Sequence, residues 1–283
     1  MLNNVKRKMA QNRYLGRVRN QAFEMERGMK RTLFIMGGCI DVLVKHGFQL
    51  YDYQEEIDEV KNQDYMFHFN SYGKKIHMYV PDYELDYLQK QIVTYAEFWE
   101  IAVLEELRKH VIKAGAHILD IGANIGNHTV YFGRICKAKS IHSFEPVKKT
   151  FKILQRNVEI NSLSHTAVLH NVALGSCDGK AKIKYFNEEE IGSTQVEVNE
   201  DGDLELRRLD DFNFDRIDFI KIDVEKFEIE LLKGAEKTLA KHSPAIFIEI
   251  FEENFPEADR LLNHYGYNID RRFALHNYLY RKA

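Results

Sequence analysis

Cysteine is scarce in this chain, and nothing in its spacing pairs it. The 283 residues hold three, Cys39, Cys136 and Cys177. An odd, scattered set excludes a disulfide framework and a cysteine-based zinc centre, and reads as reduced, buried thiols of a cytoplasmic protein. Charge of one sign is also missing. Lys and Arg number 40 against 43 Asp and Glu, a formal net charge of -3, so no nucleic-acid partner is expected for the chain as a whole. Long apolar runs are absent too: the longest, Leu33 to Val44, is interrupted by Gly37, Gly38 and Asp41 and is too short for a bilayer. No basic–apolar–small leader pattern and no internal repeat is visible. What these absences leave is a soluble protein. Its hydrophobic share of 45% suits one large domain, or a domain with an appendage.

The appendage is N-terminal. Residues 1–31 carry Lys6, Arg7, Lys8, Arg13, Arg17, Arg19, Arg27, Lys30 and Arg31 against only Glu24 and Glu26. Leu15, Val18, Ala22, Met25, Met29, Thr32 and Met36 follow steps of three and four, the seam of a helix. Residues 1–46 therefore read as a basic amphipathic helical segment. Three uses stay open for it: packing on its own domain, a homodimer seam, or peripheral contact with a membrane surface. Residues 47–110 read as a hairpin plus a helical cap. Tyr65–Asn70 and Lys75–Val80 alternate apolar and polar around Ser71-Tyr72-Gly73-Lys74. Leu88, Ile92, Tyr95, Trp99, Val103 and Leu107 then recur at helical spacing as far as Gly115.

From residue 111 to 283 the pattern becomes strand, turn, helix. Short apolar runs at 117–121, 140–144, 167–172, 219–224 and 245–250 alternate with helical stretches at 129–136, 148–161, 227–240 and 256–265. Antiparallel segments are expected at 181–186, 194–198 and 204–207, and a final pair at 267–270 and 275–280. Strands that alternate with helices predict an α/β fold, a doubly wound Rossmann-like sheet with helices on both faces.

Three strand ends carry the chemistry. Asp120-Ile121-Gly122-Ala123-Asn124-Ile125-Gly126 closes the first strand, where open α/β sheets bind ligands. Gly122 and Gly126 suit tight turning and close approach of a ligand. A dinucleotide competes for this turn, but the third glycine spacing is wrong and Asp120 would face a pyrophosphate. The same carboxylate suits a ligand bearing an ammonium; a glycine turn with a capping Asp is the plainer alternative. Glu145, in Phe144-Glu145-Pro146, ends the second strand, where a carboxylate accepts from both ribose hydroxyls. Asn171, closing the third, is placed for an adenine edge or for a turn. Lys221-Ile222-Asp223-Val224-Glu225-Lys226 leaves the fourth strand, and Glu249 ends its neighbour. Asp223, Glu225 and Glu249 form a candidate general-base set for a hydroxyl, or an ion-pair network around Lys221. The set lacks a histidine or a regular spacing, so no metal is expected.

In order along residues 95–250, these motifs resemble the FkbM family of class I methyltransferases. The matching segments are Trp99-Glu100, Asp120–Gly126, Phe144–Pro146, Asn157 with Asn161, Val172–Gly175, Gly192–Thr194, Leu209–Asp211, Lys221–Glu225, Leu232–Ala235 and Glu249. The resemblance implies S-adenosylmethionine as cofactor, with contacts across Asp120, Gly122, Ala123, Asn124, Gly126, Glu145, Pro146, Asn171 and Val172. It also implies O-methylation of a hydroxyl near Asp223 and Glu225, on a sugar or another hydroxyl-bearing acceptor such as a glycan or glycolipid precursor. One departure stands out: Lys226 occupies a position where the family usually has glycine. A positive φ there costs on the order of 1 kcal/mol, and its side chain is expected at the mouth of the site. Two other classes stay in view. One is a nucleic-acid methyltransferase using the basic N-terminal segment, although the Asn/Asp-Pro-Pro-aromatic loop for exocyclic amines is absent. The other is a non-catalytic cofactor-binding scaffold.

Overall fold

Tyr72 and Gly73 both adopt positive φ (48° and 72°), the two-residue turn that suits the twist of a hairpin. They join β1 (Met66–Ser71) to β2 (Lys74–Tyr79), as the alternating pattern predicts. The computed structural model describes Val60 and residues 64–282 apart from 275. The basic N-terminal segment, with its seam and proposed dimer or membrane contacts, lies outside the described residues.

Phe69, Ile76 and Met78 turn one face of the hairpin into a hydrophobic core shared with Ile118, Val130 and Phe132. The other edge of β2 is held by side-chain amides. Asn157 accepts from Tyr79 N (2.5 Å) and donates to Tyr79 O (3.3 Å). One helical turn on, Asn161 accepts from His77 N (3.2 Å) and donates to His77 O (2.6 Å). Two asparagines at i and i+4 thus present to β2 the donors and acceptors that a neighbouring strand would.

The helical run expected over 84–111 is two helices, α1 (Tyr87–Tyr95) and α2 (Ile101–His110). Ala96 and Glu100 are left-handed between them (φ 48° and 57°). The helix breaks because Asn127 takes the Trp99 backbone for itself, accepting from its N–H (3.0 Å) and donating to its carbonyl (3.3 Å). Tertiary hydrogen bonds here outweigh a helical periodicity that runs through the gap.

The central sheet has seven strands in the order β12-β13-β11-β10-β3-β4-β5. β3 (His117–Ile121), β4 (Ser140–Phe144), β5 (Ala167–His170), β10 (Phe219–Ile222) and β11 (Ala245–Glu249) run parallel, with β3 and β10 adjacent at the switch in strand order. The C-terminal strands β12 (Tyr267–Arg272) and β13 (Asn277–Lys282) close the edge, β13 antiparallel to β11. Helices α3 (Asn127–Arg134), α4 (Lys148–Ile160) and α7 (Phe255–His264) fill the connections. The expected helix 227–240 is also two pieces, α5 (Glu228–Lys233) and α6 (Glu236–His242). Asp210 restarts it, its carboxylate accepting from Lys237 N (3.1 Å) and Thr238 N (2.8 Å) as a cap supplied from elsewhere in the chain. Phe227, Leu231, Ala235 and Leu239 are all buried, as their spacing requires.

The antiparallel segments form a second sheet of β6 (Ala173–Leu174), β9 (Leu204–Arg207), β7 (Gly179–Tyr185) and β8 (Gln195–Val198). Among the described residues no helix is long and apolar enough to cross a membrane. The thiols correct one expectation: Cys136 is buried, but Cys177 is exposed, because it stands in the turn that enters β7 rather than on a core-facing position.

Asn157 also donates to Ile125 O (2.8 Å), so one buried amide holds both hairpin and the turn after β3. Asn157→Ala leaves three backbone groups, one of them buried, without that partner and should cost about 2–4 kcal/mol. Urea unfolding checks this: the midpoint falls, and an unchanged midpoint would mean that water replaces the amide.

Candidate active site

Lys221 is an ammonium inside the sheet. It lies on β10, buried, beside Asp120 on β3 in the parallel register. Its Nζ donates to Gly122 O (2.7 Å) and stands 3.2 Å from Asp223 Oδ2 and 3.7 Å from Asp120 Oδ1. Burial opposes its charge, yet the Asp223 and Asp120 carboxylates raise its pKa. Asp120 is 0% exposed, and its other oxygen accepts from Thr129 Oγ1 (2.5 Å).

Beside this pair the chain is packed to the limit. Gly122 has φ +75°, and a Cβ there would lie 1.6 Å from the Asp223 carbonyl oxygen. Asp223 N in turn donates to Ile121 O (3.1 Å). The glycine serves the tight turn that its spacing predicts, and the approach of one strand exit to another also demands it. Gly126 has φ +90°, and a Cβ there would meet Leu154 Cδ1 at 2.7 Å.

A cleft opens above these strand ends. Gly122, Asn124, Glu145, Pro146 and Val172 line it, and so do Asp223 and Glu225. Four expected cofactor residues do not. Asp120 sits behind the wall because Lys221 supplies the cation it needs, and Ala123 and Gly126 belong to the packing under the turn. The Asn171 amide donates instead to Glu145 O (2.8 Å) and Pro146 O (2.9 Å), bracing the strand exit. Thr150, Gly192, Thr194 and Val196 also line it without having been expected. Of these only Gly192 and Thr194 fall within a segment matching the family, and neither has a spacing that marks it as a wall.

Glu145 is buried, with each oxygen accepting one backbone N–H, from Asn124 (3.0 Å) and Val147 (2.9 Å). Burial pushes its carboxyl up to about 7 despite those bonds; Lys221 draws it down and Asp223 lifts it. Nearby, the buried Oδ1 of Asn124 has no hydrogen-bond partner. A carboxylate with free lone pairs, an orphaned amide oxygen and apolar walls at Phe144, Pro146 and Val172 are the groups a nucleoside requires.

At the exits of β10 and β11, three carboxylates converge. Asp223, Glu225 and Glu249 each place an oxygen within 4.8 Å of the others. Two full charges at that distance repel by roughly 3 kcal/mol at an effective dielectric of ~20, so the cluster holds protons. Burial first and then the neighbouring carboxylates push Glu225 up to about 8 and Glu249 up to about 9. Glu100 joins them electrostatically, its carboxyl lifted to about 7 by burial and by Asp223. It lies 3.6 Å from Nε2 of His128, a buried ring that burial keeps neutral. In the sequence Glu100 is marked only by the Trp99-Glu100 pair; its place here depends on the broken helix.

Lys226 has φ 74° and follows Glu225 at φ 48°, two successive left-handed residues. Glu228 holds that turn, accepting from Lys226 N (2.7 Å) and Asn254 Nδ2 (2.7 Å). The Lys226 side chain does not line the cleft: its ammonium pairs with Glu253 (2.7 Å) and lies over the Phe251 ring.

The model of the family described as "Methyltransferase FkbM domain" matches residues 120–269. "Methyltransferase 1" of Beauveria bassiana (strain ARSEF 2860) is 26% identical over 180 residues, 54% of this chain and 72% of that protein. "Methyltransferase sdnD" of Sordaria araneosa is 28% identical over 192 residues, 54% and 74% of the two chains. The crystal structure of Methyltransferase FkbM from Methylobacillus flagellatus KT is similar at 19% identity and a TM-score of 0.49. It covers 69% of this chain, which spans about half of that longer one.

The Lys221 arrangement has a measurable cost of disruption. Lys221→Met leaves Asp120 buried without its cation and should destabilise by about 3–5 kcal/mol. Adding Asp120→Asn should recover part of that loss in a double-mutant cycle of chemical denaturation. Strict additivity of the two variants would show that the charges do not interact.

Proposed function

The chain belongs to the FkbM methyltransferase family, and we propose that it transfers a methyl group from S-adenosylmethionine to a hydroxyl oxygen, that of a sugar in a glycan or glycolipid precursor. One observation carries the reading: a single cleft is lined by the nucleoside-type carboxylate Glu145 and by the convergent Asp223 and Glu225, with Glu249 beside them.

S-adenosylmethionine supplies an electrophilic methyl on a sulfonium. Glu145, tied down by two backbone N–H groups, accepts from the ribose hydroxyls, and the Phe144, Pro146 and Val172 walls take the adenine. The carboxylate cluster accepts hydrogen bonds from the acceptor's hydroxyls and orients the nucleophilic oxygen toward the cleft. As the methyl–sulfur bond breaks and the thioether leaves, the acceptor oxygen would take the methyl, and a carboxylate of that cluster would take the hydroxyl proton. Several adjacent acceptors suit a polyhydroxylated substrate better than a flat base, which supports the sugar. Mass spectrometry of glycans from cells with and without the protein tests that assignment; a methyl mark that is identical in both overturns it.

Two measurements test the division of labour. Glu145→Gln should weaken cofactor binding by ~1.5–3 kcal/mol in calorimetry, the loss expected for a charged acceptor. In the parent protein, affinity should rise as pH increases through about 7, because the protonated Glu145 carboxyl no longer accepts from both hydroxyls. The glutamine variant should lack that rise, and wild-type affinity in it would remove Glu145 from the site. Asp223→Asn, Glu225→Gln and Glu249→Gln are compared by single turnover at saturating cofactor. At least one should slow by on the order of 10²–10⁴ with little change in cofactor affinity. Normal rates in all three would make the cluster structural.

A further inference from the structure

Asp86 caps α1, yet only half of its carboxylate serves the helix. Oδ2 accepts from Gln89 N (3.1 Å), the bond that an N-cap side chain makes. The other oxygen leaves the helix and accepts from Ile191 N (3.0 Å), 105 residues further along the chain. Beside it Tyr87 N, a donor that the first helical turn leaves free, reaches Glu189 O (2.7 Å). The start of α1 thus holds the 189–191 backbone by one acceptor and one donor. Asp86 is 0% exposed. Serine or asparagine caps a helix as well as aspartate does, so capping alone does not account for a fully buried carboxylate. The second backbone N–H does.

The segment so held is a wall of the cleft, which Ile191, Gly192 and Thr194 line. Within it Glu190 O accepts from Ser193 N (2.9 Å) and Oγ (2.8 Å), and Ile191 O from Thr194 N (3.2 Å) and Oγ1 (2.6 Å). Those bonds close 190–194 into a turn whose place follows that of Ile191. The turn meets the loop after β3: a Cβ at Gly192 would lie 3.0 Å from Asn124 Nδ2. Asn124 donates its backbone N–H to Glu145 (3.0 Å), and its side-chain oxygen is the buried acceptor without a partner. A continuous run of contacts therefore joins Asp86, which does not line the cleft, to two groups that do.

We infer that Asp86 is a positioning residue for the cofactor subsite: through Ile191 it holds the 190–194 wall against Asn124, so that the nucleoside enters a preformed slot. The identity of that ligand rests on the methyl-transfer reading. Without the bond to Asp86 the wall has to be ordered as the ligand binds, and the cost of ordering appears as lost affinity. The segment before the α/β pattern thereby completes the binding site of the sheet that follows it.

Asp86→Ser separates the two roles, because serine still caps α1 while its single oxygen leaves Ile191 N without an acceptor. Amide hydrogen exchange in the ligand-free full chain should find Ile191 protected in the parent and exposed to exchange in the variant. Calorimetry with S-adenosylmethionine should find affinity lowered about tenfold, the scale of one or two groups left to be ordered on binding. Gly192→Ala leaves Asp86 and its cap in place, presses on Asn124, and should weaken binding on the same scale. The two combined should lose less than the product of their separate losses, since both displace one wall. Glu159→Gln, on the exposed side of α4, should bind as the parent does. An unprotected Ile191 amide in the parent, or parental affinity in Gly192→Ala, overturns the inference even where Asp86→Ser does not fold. Parental affinity in folded Asp86→Ser, or losses that simply multiply, overturns it as well. A parent that binds no S-adenosylmethionine overturns the cofactor reading instead, and exchange at Ile191 then still decides whether Asp86 holds the wall.

Discussion

One buried ammonium sets the geometry on which the rest depends. Lys221 fixes β10 to β3 by neutralising Asp120, and its bond to Gly122 O draws the turn after β3 onto the exit of β10. That approach is so close that no side chain fits at residue 122. The cleft is a by-product of this contact: the two strand ends meet below it and their loops part above it. Breaking a buried pair of this kind is costly because it leaves the other charge without its partner.

The exit of β10 is where the chain departs from relaxed backbone. Glu225 and Lys226 are both left-handed, and neither is glycine. Such strain persists only where the surroundings over-determine it, and here Glu228 and Asn254 do so. The turn brings Glu225 within reach of Asp223 and Glu249, so local strain, mutual repulsion and burial meet at one spot. The Lys226 ammonium is drawn off to Glu253 and Phe251, which leaves the carboxylates facing the cleft.

The sheet was legible because its signals are local: short apolar strands, turn residues and helical stripes each imply their own element. The acidic residue ending β4 and the three carboxylates around β10 and β11 were legible for the same reason, since strand ends share one rim. What the sequence concealed was competition. Asn127 interrupts a continuous helical pattern at Trp99, and Asp210 restarts another at Lys237, each through a side chain distant in sequence. The pairing of Asp120 with Lys221 is concealed too, since nothing local reveals that Lys221 reaches it across the strand pair. The contact between Glu100 and His128 is hidden likewise, because a broken helix brings one to the other.

The amide ladder of α4 carries a consequence for exchange of parts between relatives. Asn157 and Asn161 grip β2 as a strand would, while Asn157 also grips the turn after β3. Hairpin, turn and helix therefore form one inheritable block, although some eighty residues separate hairpin from helix. A chimera with its crossover between β2 and β3 breaks that block, whatever the similarity of the halves. A crossover beyond α4 leaves it whole, so the natural seam for recombination lies past the second helix of the sheet and not at the apparent start of the α/β pattern.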